Sequence, residues 1–198
     1  MAISPVKIGN MALSNIGDSG TIESFNEDSA QAKEINIWYD FAREQVLEGL
    51  DWNFARKRQT LALHGDDPPD TWLYRYQYPA DCIAIRSLEN PAGLKADPVP
   101  FTFENSLDGN QKTILTNLES AKALYTFNLT STLLFSPSFI LAFSYLLGHY
   151  IAYPLTGKFA VKEKMLAMYK IVLREAQAFN AQEQMDDTPR DAPWISGR

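Results

Sequence analysis

The feature that most constrains the fold is a change in the spacing of apolar residues, which occurs twice along the chain. Residues 5–50 and 136–183 carry apolar side chains three and four positions apart, as one face of a helix does. Between them, residues 53–130 contain short runs that alternate or are rich in β-forming residues. We therefore expect an α+β fold: a four-helix bundle with a small antiparallel β lobe inserted between helices 2 and 3.

Residues that commonly begin and end helices mark the limits of the four helices. Ser4-Pro5 and Ser136-Pro137 each place a hydroxyl cap before a proline, a combination that favours the first turn. Gly17 suits the left-handed position that follows a helix. The predicted helices cover residues 5–17, about 28–50, 136 to a break at 154–157, and about 159–183.

Six short β-rich runs lie between helices 2 and 3. Turn-forming stretches such as Asp108-Gly109-Asn110 separate them. Their number and length predict a small antiparallel sheet or an open barrel. The runs cover residues 59–63, 71–76, 82–86, 99–103, 112–116 and 123–127.

The spacing of apolar residues and the composition of the C-terminus divide the chain into three parts. A discontinuous helical part is expected at residues 1–52 and 131–185, a β lobe at 53–130 and a C-terminal arm at 186–198. The arm is polar and interrupted by prolines, so it cannot continue the last helix or build a core of its own.

The arm contains one tryptophan, Trp194, isolated among Asp, Pro and Arg residues. Tryptophan together with arginine is typical of the centre of a protein interface. The arm could fold back on the protein's own core or anchor in another subunit. In the second case we expect Trp194 to be the anchor, assisted by Arg190, Pro193 and Ile195.

Composition excludes several classes of protein. A net charge of −6 disfavours a dedicated nucleic-acid binder, which needs a basic face, but it suits a wall past which DNA slides. One cysteine, Cys82, and two histidines make an internal disulfide impossible and a zinc site improbable. No metal and no cofactor are expected.

Targeting and membrane segments are not expected either. Met1-Ala2-Ile3 lacks the basic start and the unbroken apolar run of a signal peptide. The most apolar stretch, residues 133–153, includes Ser136, Ser144 and His149, which is typical of a buried helix rather than a membrane span. We expect the protein to be made and folded in the cytoplasm.

The side chains that could perform catalysis lack recognisable partners, so no catalytic residue is assigned. His64 is expected in an exposed turn, His149 in the core beside a backbone carbonyl, and Cys82 as a buried, inert thiol. The acidic pairs at 66–67 and 186–187 are expected to be solvated turn acids. A hydrolase acting on carbohydrate, with facing carboxylates in the β lobe, is the alternative.

One dense basic run is present at residues 56–58, Arg-Lys-Arg. Such a run can protect the edge of a sheet against wrong association, and this is the interpretation we favour. The alternative is contact with DNA phosphates by a nucleic-acid-binding accessory factor. Asp81, two residues after Pro79, is predicted to form the turn that caps the next strand.

The most distinctive segment joins helix 2 to the first strand. Trp52, Asn53 and Phe54 stand at this corner, before Arg58. Two aromatic residues around an asparagine do not form a recognisable catalytic arrangement. We predict a packing hinge between the two lobes, with the asparagine amide capping backbone groups that the turn leaves free.

Six short motifs occur in a fixed order along nearly the whole chain. They are Ala12-Leu13-x-x-Ile16-Gly17, Trp38-Tyr39-Asp40-x-Ala42-Arg43, Trp52-Asn53-Phe54-Ala55-x-x-Arg58, Tyr76-x-Tyr78-Pro79-x-Asp81-Cys82, Ser136-Pro137-x-Phe139 and Ala152-Tyr153-Pro154-Leu155-Thr156-Gly157. This ordered set resembles the tail adaptor family of tailed bacteriophages, also called tail tubular protein A or head–tail connector.

The resemblance implies a structural virion protein and no enzyme. Members of this family form a ring of about a dozen copies beneath the portal protein and carry the tail nozzle or tail tube. DNA passes through the ring without sequence-specific contact, and no membrane is involved. The resemblance also implies that the C-terminal segment docks on the portal, while the motif residues serve as scaffold.

Overall fold

The computed structural model describes residues 3–93 and 96–183, and these residues form an α+β structure. The four α-helices are α1 (Pro5–Ile16), α2 (Ala30–Gly49), α3 (Pro137–Thr156) and α4 (Phe159–Gln182). The six strands between α2 and α3 are β1 (Arg56–Thr60), β2 (Tyr74–Gln77), β3 (Cys82–Leu88), β4 (Phe101–Asn105), β5 (Lys112–Thr116) and β6 (Lys122–Phe127).

Local capping explains where the helices begin and end, as the sequence predicts. The hydroxyl of Ser4 accepts a hydrogen bond from the backbone N–H three residues later at 3.1 Å, and Ser136 does the same at 3.3 Å. Gly17 and Gly157 follow α1 and α3 with φ values of 77° and 67°, which residues with a side chain rarely adopt. Pro154 lies inside the last turn of α3. The helix continues past it to Thr156 and ends at Gly157.

Helix α3 is apolar around most of its circumference because it packs against α1, α2 and α4. By length and composition alone this helix could cross a membrane, and half of its most apolar stretch is buried inside the protein. The side chains that α3 contributes to the helical core are Phe139, Ala142, Phe143, Leu146, Leu147, Ile151 and Ala152.

The strands form two three-stranded antiparallel sheets, in the orders β1-β6-β3 and β2-β5-β4. The prediction of one sheet or an open barrel is therefore wrong. Pro79, which has no N–H to donate, lies between β2 and β3, and these two strands pair in different sheets. A bridge between Leu63 and Tyr76 joins the chain after β1 to the second sheet.

A second, smaller apolar cluster lies between the sheets. Its buried members are Leu61, Tyr76, Leu88, Ile114, Ala121, Ala123 and Tyr125. Phe127, at the end of β6, packs against this cluster and against the helical core. The two cores are therefore adjacent. Hydrogen bonds from polar side chains also connect the helices to the strands there.

Trp52 belongs to the helical core, although the sequence predicts it as a hinge between the lobes. Its indole is 1% exposed and lies edge-on to Phe139, with ring centroids 5.2 Å apart. The indole N–H donates to the carbonyl of Val46 at 2.8 Å. Replacement of this side chain leaves a large cavity and an unpaired carbonyl.

We therefore predict that Trp52→Ala lowers the free energy of unfolding by about 3–5 kcal/mol. Urea denaturation followed by far-UV circular dichroism measures the change. The control is Trp72→Ala, because Trp72 is only half-buried and lies on the strand side. Equal losses for the two variants would contradict the placement of Trp52 in the core.

Candidate assembly surface

The end of α2 is attached to the strands by Arg86 of β3. One Nη atom of its guanidinium donates to the carbonyl oxygens of Leu47, Glu48 and Leu50 at 3.0, 3.0 and 2.9 Å. Its Nε donates to the hydroxyl of Thr126 at 2.8 Å. The last carbonyls of a helix carry partial negative charge and have no partner inside the helix, so a cation from the sheet is well suited to them.

A second arginine makes the reverse connection. Arg43 of α2 is 3% exposed and donates to the carbonyl of Leu129 at 2.9 Å and to the side-chain oxygen of Asn128. Carboxylates of Asp40 and Glu44 lie 3.3 Å from its other Nη atom. The buried guanidinium therefore has both charge compensation and hydrogen-bond partners, and it holds α2 to the segment that follows β6.

Asn53 connects this junction to the end of α4, which differs from its predicted role. The sequence predicts an amide that caps its own turn. Instead, Asn53 donates across the fold: its backbone N–H donates to the Asn180 side chain at 2.9 Å and its amide donates to the Asn180 carbonyl at 2.8 Å. Asn180 in turn donates to the carbonyl of Asp51 at 2.7 Å. Phe54 packs beside these groups on Phe139, with centroids 5.3 Å apart.

All three members of the basic run at 56–58 are paired with carboxylates. Arg56 contacts Asp51 at 2.7 Å, Lys57 contacts Asp81 at 2.7 Å, and Arg58 contacts Glu89 at 2.8 Å. The side chains of Lys57 and Arg58 are about half exposed or more, in agreement with a solvated edge strand. Their charges are compensated locally, which weakens the run as a phosphate site.

Asp81 does not cap a strand through its side chain as predicted. Its carboxylate accepts from Lys57 at 2.7 Å and from the Tyr125 hydroxyl at 3.0 Å, so it joins β1, β3 and β6. Pro79 is buried, and its carbonyl accepts the N–H of Cys82 at 3.0 Å to form the turn. Cys82 is half-buried rather than fully buried, and burial raises the pKa of its thiol, which favours the unreactive form.

Of the remaining candidates for chemistry, only His64 and Asp66 lie together among the described residues, with the His64 Nδ1 3.6 Å from a carboxylate oxygen of Asp66. His64 was expected in the open, but its side chain is 12% exposed and accepts the N–H of Asp66 at 3.1 Å. His149 has the predicted backbone partner, since its Nδ1 lies 2.9 Å from the carbonyl of Lys162, but the residue is half-buried and not part of the core. The Asp66 carboxylate accepts the N–H of Leu107 at 2.7 Å. Within residues 3–93 and 96–183, no three His, Cys, Asp or Glu side chains are grouped as metal ligands would be.

The strongest candidate for an assembly surface is the outward side of α2, which the sequence analysis missed. It consists of Ile37, Phe41, Glu44 and Glu48, spaced four, three and four residues apart, and we call it the α2 face. Ile37 is 64% exposed and Phe41 is 54% exposed. The same spacing could have been read from the sequence as a second stripe opposite the buried one.

A cleft continues this surface towards the strands. It has a volume of about 380 Å³. One wall is the C-terminal half of the α2 face, and the other is the turn from Ala80 to Ile83. Glu44 is positioned there by Asn128, whose amide donates to its carboxylate at 2.8 Å. The α2 face thus presents apolar side chains at one end and carboxylates beside a groove at the other.

The predicted partner-binding residues Arg190, Pro193, Trp194 and Ile195 lie outside the described residues, as does the acidic pair at 186–187. The chain reaches the junction just before them, because the carboxylate of Glu183 accepts from Asn53 at 3.0 Å. Glu183, the last described residue before the arm, thus lies beside the corner that joins α2 to β1.

Similarity to known proteins assigns no role to the surface just described. No family model and no curated protein matches this chain. The α2 face and the junction behind it are therefore interpreted from their own geometry.

We predict that Arg86→Met lowers the free energy of unfolding by about 2–3 kcal/mol, because three carbonyl oxygens at the end of α2 lose a charged donor. Arg58→Met is the matched control, since that side chain is 64% exposed and its ion pair should contribute less than about 1 kcal/mol. Urea denaturation curves for both variants measure the difference. Similar losses at the two positions would contradict the role assigned to Arg86.

A pH dependence follows from Asp81. Partial burial raises its pKa, but hydrogen bonds from Lys57 and Tyr125 outweigh this and hold the pKa below the ordinary value of 3.8. The ionised carboxylate therefore stabilises the fold above that value, and the contribution is lost as the pH falls through the lowered pKa.

Asp81→Asn should consequently be less stable than the wild type at about pH 6, and the difference should shrink towards about pH 3. Thermal melts across this range measure it. Asp70→Asn, in an exposed turn, controls for the loss of one negative charge. A difference between Asp81→Asn and wild type that stays constant with pH would argue against the assignment.

Proposed function

We propose that this protein is a ring-forming head-to-tail adaptor of a tailed bacteriophage. In this role it docks beneath the portal protein and provides the platform for the tail nozzle or tail tube around the DNA channel. The observation that carries the proposal is the α2 face, which displays Ile37 and Phe41 to solvent on one line of a helix, next to the carboxylates of Glu44 and Glu48. The ordered motifs supply the resemblance to the adaptor family.

A subunit of a ring must keep its shape as well as bind its neighbours. The internal packing of this protein is consistent with such rigidity. We propose that the four helices act as one bundle around α3, which contacts each of the other three. The strands would then move with the bundle, because Arg86 connects β3 to α2 and Arg43 connects α2 to the segment that follows β6. Such a body can transmit the geometry of the portal to the tail.

The charge distribution also suits a channel wall. The chain carries a net charge of −6, and the basic run at 56–58 is neutralised by its own carboxylates. DNA phosphates are attracted mainly by uncompensated Lys and Arg side chains. The two alternatives, a carbohydrate-active hydrolase and a nucleic-acid-binding accessory factor, are not supported by a specific contact in the described residues.

The C-terminal arm at residues 186–198 is proposed to bind the portal, with Trp194 as the anchor and Arg190, Pro193 and Ile195 around it. A tryptophan that enters a pocket commonly contributes about 2–4 kcal/mol to an interface. All copies of a ring bind the portal at the same time, so the contributions of the individual tryptophans to affinity combine through avidity.

The test is to mix the full chain with the purified portal ring of the same phage and to weigh the complex by mass photometry. We expect the ring to gain about a dozen copies of 22.3 kDa. Deletion of residues 186–198 should abolish or strongly weaken this gain while the melting temperature stays nearly unchanged. Trp194→Ala should reproduce most of the loss.

Three results would count against the proposal. A full chain that adds no mass to the portal ring would refute the adaptor function. Undiminished binding by the truncated chain would refute the arm as the contact. A truncated chain that melts much earlier would show that Trp194 packs on the protein's own core. A chain that lacks only residues 196–198 is the matched control, because it is shortened but keeps the proposed contact residues.

A further inference from the structure

Helix α4 carries a second exposed stripe, on the side opposite its buried residues. The positions are spaced four, three, four, three and four residues apart, so they share one line along the helix. All of them are exposed, and Ile171 is 48% exposed. We call the following set the α4 face: Ala160, Lys164, Ala167, Ile171, Arg174 and Ala178.

The side chains of the α4 face and the α2 face differ in size in a way that suits packing between two helices. Three of the six side chains on the α4 face are alanine, which allows another helix to approach closely. The α2 face instead projects the larger side chains of Ile37 and Phe41. At 1.5 Å per residue the α2 face is about 16 Å long and the α4 face about 27 Å long, so the second can cover the first completely.

The two faces are also complementary in charge. Helix α2 has four acidic and two basic residues, whereas α4 has four basic and two acidic residues. The α2 face itself carries Glu44 and Glu48, whereas the α4 face carries Lys164 and Arg174. Pairing either face with itself would place helices of like net charge side by side, which is unfavourable.

We propose that the α4 face of one copy of this chain packs on the α2 face of a second copy. The cleft of about 380 Å³ beside Glu44 and Glu48 then receives the guanidinium of Arg174 from the neighbour's α4 face. Because the contact joins two different faces, it leaves one of each free and can be repeated around a closed ring. This inference deepens the proposed function by naming the surfaces that would build the ring.

Two double variants, each with one face disabled, test the proposal in the full chain. The α2-face variant is Phe41→Ser with Glu48→Lys, and the α4-face variant is Ile171→Ser with Arg174→Glu. Sedimentation velocity of each alone, up to about 1 mM, should show self-association weakened at least tenfold relative to wild type. Circular dichroism melts check that each variant is folded.

Mixing the two variants is the decisive measurement. The α2-face variant retains an intact α4 face, and the α4-face variant retains an intact α2 face. One productive contact is therefore possible between them, and the mixture should form a dimer of twice 22.3 kDa that grows no further. A contact between identical faces cannot give this result, because one of the two variants would then associate as the wild type does.

The control variant is Leu107→Ser with Glu119→Lys, which removes one exposed apolar side chain and reverses one charge, as the α2-face variant does, at exposed positions on the strand side. It should associate like wild type. A wild-type chain that remains monomeric at about 1 mM, or a mixture of the two variants without dimers, would overturn the inference. Partial recovery of assembly by Glu48→Lys combined with Arg174→Glu would support it, because the ion pair is then reversed.

The portal experiment separates this inference from the proposed function. If the wild type decorates the portal ring and both face variants do so equally well, the adaptor function stands and the named interface fails. If the two variants form the mixed dimer but the wild type never binds a portal ring, the interface stands and the adaptor function fails.

Discussion

The structure depends on the way two arginines join its helices to its strands. Arg86 reaches from β3 to three carbonyl oxygens at the end of α2, and Arg43 reaches from α2 to the carbonyl of Leu129. Each guanidinium satisfies backbone groups that would otherwise be costly to remove from water. Because the two connections run in opposite directions between the same two regions, they restrict the rotation of one region against the other.

The packing of α3 determines which sides of the other helices stay exposed to solvent. It uses its apolar side chains against α1, α2 and α4, so these helices each turn one side inward. The remaining sides of α2 carry the exposed apolar residues Ile37 and Phe41, and those of α4 carry Phe159, Ile171 and Phe179. Exposed residues of this kind, arranged in lines on two helices of opposite net charge, are more informative than the same residues scattered singly.

Together these features describe a protein whose proposed role is mechanical. The arginines join the helices to the strands, the faces of α2 and α4 are the proposed contacts between copies, and the basic run at 56–58 is paired with carboxylates. Each of these properties can be changed by substitutions that leave the others intact. The stability, assembly and portal-binding measurements therefore address separate parts of the same proposal.

Local sequence was enough to predict the helices, their caps at Ser4 and Ser136, and the positions of most strands, because those features depend on neighbours a few residues away. The exposed stripe that forms the α2 face was also readable from spacing alone. The partners of Asn53 and Asp81 were not, because Asn180 is 127 residues from Asn53 and Lys57 is 24 residues from Asp81. The division into two sheets, the neutralisation of the basic run and the capping of α2 by Arg86 likewise join residues that only the folded chain brings within hydrogen-bonding distance.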